Sequence, residues 1–136
     1  MLLRFVGKDI QDIRFEDWLD NKPTELHAIA KQWVRAIQDC GPDVEIIFHD
    51  NYPIGCVDNV PFAYVNAFMA HVNLGFFHGA SLPDKLHLLE GAGKYMRHIK
   101  LRPGSSCDDH AIQSLMIDAY QDIKLRIMEE WERLKH

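Results

Sequence analysis

Cysteine, proline and basic residues are all in short supply in this chain of 136 residues. Its three cysteines, Cys40, Cys56 and Cys107, lie far apart and form no CxxC pair. That excludes a disulfide framework and the usual spacing of a zinc or dithiol redox element. Fifteen lysines and arginines stand against 20 acids, a formal charge of -5. The deficit of cations argues against general DNA or anionic-membrane binding and leaves room only for a local basic patch. No apolar run approaches the roughly 18 residues that a bilayer-spanning helix needs. The segment Met1 to Asp9 has no apolar core of the signal-peptide kind. The expectation is a reduced, cytoplasmic protein with no membrane or nucleic-acid partner. No internal repeat or low-complexity linker divides the chain, so a single α+β domain over residues 1–136 is expected.

What is present is patterned for folding. Leu26, Ile29, Ala30, Trp33, Val34 and Ile37 form one apolar stripe at the 3.6-residue period. That predicts a helix from Thr24 to Cys40, with Thr24 as its N-cap and Gly41-Pro42 as its left-handed stop. A shorter, acid-rich helix is expected over Lys8 to Asn21. From Val44 the period changes to two. Val44–His49 and Ile54–Val57 read as strands around a turn at Asp50 to Pro53, and Asp58-Asn59 turns the chain again. Phe62–Phe68 and His71–Phe77 read as an antiparallel hairpin, with Phe62, Tyr64, Asn66 and Phe68 on one face of the first strand. Val72, Leu74 and Phe76 share a face of the second. One helical turn is expected at Lys85 to Leu89, and a last strand at Tyr95 to Leu101. Asp108 or a neighbouring serine caps a final helix whose stripe runs Ile112, Leu115, Met116, Ala119, Ile123, Ile127, Trp131 and Leu134. From Asp109 to Leu134 that helix would span roughly 39 Å. Either it bends or its end overhangs toward a partner, so monomer and homodimer through this helix both stay open. Mainly antiparallel strands between helices define an α+β fold, with Trp33, Ile37, Phe48, Leu74, Phe76, Ile99, Leu115 and Ala119 in the core.

The chemistry-bearing residues concentrate in Gly91-Ala92-Gly93-Lys94 and the strand after it. Lys94, Arg97, Lys100 and Arg102 put four cations within nine residues of an otherwise acidic chain. Glycine amides with Lys and Arg suit a phosphate or carboxylate, so Gly91, Gly93, Lys94, Arg97 and His98 are candidate anion-binding residues. The segment is no Walker loop, because Leu88 stands where the first glycine belongs and Tyr95 where Ser or Thr would hold magnesium. The competing reading is a sheet-edge strand with solvated cations. Strand alternation puts Arg97 among Tyr95, Ile99 and Leu101. Such a guanidinium needs a carboxylate, with Glu90 or Asp84 nearest in sequence, or an anionic ligand.

Asp9, Asp12, Glu16 and Asp20 fall on one stripe if Lys8 to Asn21 is helical. Asp12, Glu16 and Asp20 are then weak candidates for holding a cation, against the plainer reading of a solvated helix face. His87 with Glu90 and Cys107 with His110 have ligand-like spacing but no third and fourth partner, and the latter pair reads as helix capping. There is no nucleophile elbow and no paired catalytic group, so no catalytic residue and no cofactor are assigned.

Pro61-Phe62-Ala63-Tyr64-Val65, His71-Val72-Asn73-Leu74-Gly75-Phe76-Phe77-His78-Gly79, Leu82-Pro83-Asp84 and Leu88 through His98 together resemble the YdhG-like domain family of bacteria, a family largely without assigned function. The resemblance runs from about Pro61 to Leu101 and implies helices covering an antiparallel sheet. Some members are described as frataxin-like iron chaperones, which implies iron bound by carboxylates as an alternative. The helix predicted from Thr24 carries only Glu25 and Asp39 as acids, which leaves that ridge thin. The primary expectation is a non-catalytic module that binds a small anionic ligand.

Overall fold

Two Asp-Asn pairs set the topology. In the computed structural model, which describes residues 1–135, Asp50, Asn51, Asp58 and Asn59 have φ of 54°, 68°, 50° and 63°. Asn and Asp tolerate this left-handed region, and two such residues in a row make the tight turn that matches strand twist. The turns join β1 (Glu45–His49), β2 (Tyr52–Val57) and β3 (Val60–Ala67). β4 (Val72–Phe76) and β5 (Arg97–Leu101) complete a five-stranded sheet in the order β1-β2-β3-β4-β5, antiparallel throughout. Each of the first three connections is short, so neighbours in sequence are neighbours in space.

One face of the sheet is covered by α1 (Phe15–Asp20), α2 (His27–Gln38) and α3 (Asp109–Leu134). Trp33, Ile37, Phe48, Leu74, Phe76, Ile99, Leu115 and Ala119 are all buried there, as periodicity predicted. The opposite face carries a smaller cluster of Phe5, Ile47, Ile54 and Cys56, rimmed by Tyr52, Tyr64 and Phe77. Asp108 caps α3 by accepting from the Ala111 N–H, and the helix runs over the residues expected.

Several local expectations fail, each for a physical reason. Only Phe15–Asp20 of the segment Lys8 to Asn21 is α-helical. Gly7–Asp9 is a 3-10 turn, and Gln11 bridges β1 at Phe48, so the chain between is extended. Thr24 does not cap α2; Thr24–Leu26 is a 3-10 turn leading into it, and Thr24 makes no capping bond. Gly41 does not sit in the left-handed region; its missing side chain leaves room for the Tyr120 hydroxyl, which donates to Asp43 at 2.5 Å. Lys85 to Leu89 form no helical turn, because Asp84 accepts from the N–H groups of Leu88 and Leu89 and holds them as loop. In β3, a bulge opposite Gly55 and Cys56 inserts Phe62, which joins Ala63 and Val65 on the helix-covered face while Tyr64 faces the other way. The expected shared face of Phe62 and Tyr64 is therefore broken.

The stripe of α3 also changes partway. Ile112 through Ile127 follow it inward, but Trp131 and Leu134 are exposed and Glu130 takes the inward position. Glu130 is 4% exposed. Its carboxylate accepts from the Leu2 N–H at 2.7 Å and from Arg4 Nη1 at 2.5 Å. Those two bonds, the backbone one first, hold its pKa below the ordinary carboxylate value. The N-terminal segment is thereby tied to the end of α3.

Candidate functional site

The glycine-cation segment forms a loop at the β5 edge. Glu90 and His98 exchange backbone hydrogen bonds of 2.8 and 3.0 Å, closing residues 91–97 into an excursion. Gly91 has φ of +125°, a backbone conformation that favours glycine. Inside the loop, Arg97 turns back on its own segment. Its Nη1 donates to the carbonyls of Gly93 at 2.5 Å and Met96 at 2.7 Å. Tyr95 offers its carbonyl to the Ala80 N–H at 2.9 Å.

Among the described residues, no carboxylate forms the expected ion pair with Arg97. Asp84 is occupied by the Leu88 and Leu89 amides, and Glu90 pairs through its backbone. The two carbonyls satisfy the guanidinium instead, a solution sequence spacing does not reveal.

This arrangement sorts the loop's polar groups by kind. Three of its carbonyls are held by intrachain donors. Among the described residues, no backbone N–H from Gly91 through Met96 donates to an intrachain acceptor. Lys94 is exposed beside these amides, with its Nζ 5.3 Å from the centre of the Tyr95 ring. Available donors next to an ammonium are the elements of an anion cradle.

Gly91, Gly93, Lys94 and Arg97 thus share one loop. His98 does not join them through its imidazole. Strand alternation places it opposite Gly75 on the other face of the sheet, while Arg97 lies opposite core residue Phe76. Sequence reasoning left His71 out of this region. Its pKa is lowered by partial burial and then by the positive charge of Lys100, Arg102 and His98. Lys100 and Arg102 are exposed, and none of Lys94, Arg97, Lys100 and Arg102 forms an ion pair among the described residues. The β5 edge thus gathers cations without ion-pair partners in an acidic protein, with Glu90 the acid whose charge opposes theirs at His71.

Other candidates do not assemble. Asp9 caps the Val6 N–H, Asp12 lies in extended chain, and only Glu16 and Asp20 share α1, so no acidic stripe forms. Asp12 and Glu16 line a cleft of about 1010 Å³ between α1, α2 and β1. Lys31, Arg35 and Glu45 line it too. Both signs of charge over an apolar floor give a small ion no field to follow, so size alone does not make this cleft the site. No group of three His, Cys, Asp or Glu side chains among the described residues has the geometry to hold a metal.

The thiols are poorly placed for nucleophilic chemistry. Burial pushes Cys56 up to about 12 and Cys40 up to about 11. Donation to Asp109 at 2.9 Å is the main cause holding Cys107 at about 11. No helix among the described residues is long and apolar enough to cross a membrane.

No protein-family model and no curated protein matches the chain. Among solved structures, it is similar to the crystal structure of YdhG, a DUF1801-family protein from Bacillus subtilis, with a TM-score of 0.59. The match covers 76% of this chain and 85% of that one at 13% identity. At that identity the likeness speaks to fold, and the fold agrees with the YdhG-like resemblance read from residues 61–101.

Proposed function

We propose that this YdhG-like chain is a non-catalytic module that binds a small anionic ligand at the loop of Gly91, Gly93, Lys94 and Arg97. The observation that carries the reading is the sorting of the loop's backbone: carbonyls held by Arg97 and Ala80, amides from Gly91 to Met96 left available. In this reading Lys94 contacts the anion, and Arg97 shapes the loop and adds positive charge. His98, Lys100 and Arg102 attract the ligand from the neighbouring strand by their field rather than by contact. No group is assigned to bond making or breaking.

The test is an amide NMR titration with inorganic phosphate and with a phosphorylated sugar, at low and high salt. Binding at the loop shifts the amides of residues 91–96 ahead of all others. Lys94→Ala weakens the response while leaving the melting temperature nearly unchanged, because an exposed cation contributes under about 1 kcal/mol to stability. Titration shifts scattered over the surface, or shifts that survive Lys94→Ala undiminished, would sink the reading.

A further inference from the structure

The last three turns of α3 have an outward face that carries three large apolar side chains. Leu125, Met128 and Trp131 are 54%, 63% and 61% exposed; Leu134, also exposed, lies in line with Ile123, Ile127 and Glu130 on the other side of the helix. Together the three offer on the order of 400 Å² of apolar surface, the size of a monomer's largest patch, which is often functional. They are not there to complete the core, because the inward side of these turns is already filled by Ile123, Ile127 and Glu130.

We propose that this face binds a second copy of the chain, as an antiparallel twofold pair of α3 helices centred on Met128. The choice of occupant rests on the charge pattern of the face. Lys124, Met128 and Glu132 lie at i, i+4 and i+8, one ridge of the helix. Packing of such ridges side by side is the commonest helix-helix class in globular proteins. An antiparallel copy centred on Met128 brings Lys124 to the partner's Glu132, and Glu132 to the partner's Lys124. Leu125 and Trp131 close over the middle from the adjacent ridges. A parallel copy would set Lys124 against the same lysine. An antiparallel copy shifted to bring Met128 against Trp131 would set Lys124 against Lys135. The Met128-centred register sets Leu125 against the partner's Trp131, Met128 against itself and Lys124 against the partner's Glu132, apolar to apolar and plus to minus.

In the protomer, Lys124 lies 3.1 Å from Asp43 and Glu132 lies 3.5 Å from Lys135. Both are exposed pairs, so re-pairing across an interface carries little penalty. Two copies would bury roughly 800 Å² of apolar surface in total, less than a permanent interface needs, so the pair is weak, transient and dependent on concentration. A twofold axis makes the same patch serve both partners. The face is independent of the anion loop, so either proposal can fail alone.

Sedimentation equilibrium on the full chain over a wide concentration range gives the first reading: a monomer-dimer equilibrium is expected. Met128→Glu, at an exposed position that does not disturb the fold, abolishes the dimer. Lys124→Glu weakens it, and the double variant Lys124→Glu with Glu132→Lys restores it. With Cys107→Ser to remove the exposed thiol, Met128→Cys crosslinks to itself on mild oxidation, whereas Ile117→Cys, exposed on the same helix, does not. A chain monomeric at every concentration overturns the proposal. So does a dimer that survives Met128→Glu, or crosslinking as efficient at position 117 as at 128.

Discussion

At the β1 edge of the sheet, Gln11 makes one bridge to Phe48; at the β5 edge, Glu90 makes one bridge to His98. Both stop the edge from presenting a long open ladder. Beyond the bridges the two edges differ. Gln11 locks its surroundings through its side chain, donating to Asn51 Oδ1 at 3.0 Å and accepting from the Asn51 N–H at 2.7 Å. Its segment is anchored again by the Phe5 N–H on the Asn59 carbonyl at 2.9 Å and by Glu130 at Leu2 and Arg4. At the β5 edge the bridge closes a loop stapled by Arg97, which binds carbonyls, while among the described residues the amides of 91–96 meet no intrachain acceptor. The β1 edge commits its hydrogen-bonding groups to structure, and the β5 edge keeps donors for something else.

The largest effect on this contrast is expected at Glu130. Its carboxyl has a folded pKa below its unfolded one, so its contribution is present above the unfolded value and is lost as pH falls through the folded one. Denaturation of the wild type and of Glu130→Gln, compared between neutral and acid pH, should show the wild type losing its advantage on acidification. A constant difference would mean that the clamp on the N-terminal segment does not depend on charge. At the β5 edge, Gly91→Val forces a branched residue to φ of +125° and should destabilise by about 1–3 kcal/mol. It should also disperse the amide resonances of residues 91–96.

Arg97→Ala comes next. With a buried carboxylate partner its loss would cost about 3–5 kcal/mol, but two partly solvated bonds to carbonyls point to about 1–2 kcal/mol. Urea denaturation separates these values, and the larger one would restore the ion-pair expectation. Gln11→Ala should cost about 1 kcal/mol through its two bonds to Asn51. It should raise hydrogen exchange near the β1–β2 turn while leaving anion binding untouched. If it altered anion binding, the separation of roles between the two edges would fail.

The candidate site was legible in the sequence as composition and unreadable as geometry. Two glycines and four cations in an acidic chain drew attention to residues 91–102, but the loop runs on through Tyr95 and Met96, expected as strand, and β5 begins only at Arg97. Alternation also gave the opposite facing of Arg97 and His98. The partners of Arg97 were not readable, because a carbonyl acceptor is carried by every residue and leaves no mark in residue type. The acidic stripe failed for a related reason. Helical spacing of Asp9, Asp12, Glu16 and Asp20 has meaning only if the chain between them is helical, and Gln11's bond to β1 prevents that.

Periodicity is a local property, so where the pattern runs long and unbroken the sequence by itself determined the element and the residues that turn inward. That is why Val72, Leu74 and Phe76 line the core, and why α3 spans Asp109–Leu134. The tertiary structure alone decided where the pattern is interrupted. The bulge at Phe62 arises from the register β3 must keep with β2. The exposure of Trp131 accompanies Glu130 turning inward to bind Leu2 and Arg4, residues at the other end of the chain. Such outcomes depend on groups brought together from distant positions, whose joint packing and hydrogen bonding outweigh the preference of any one stretch.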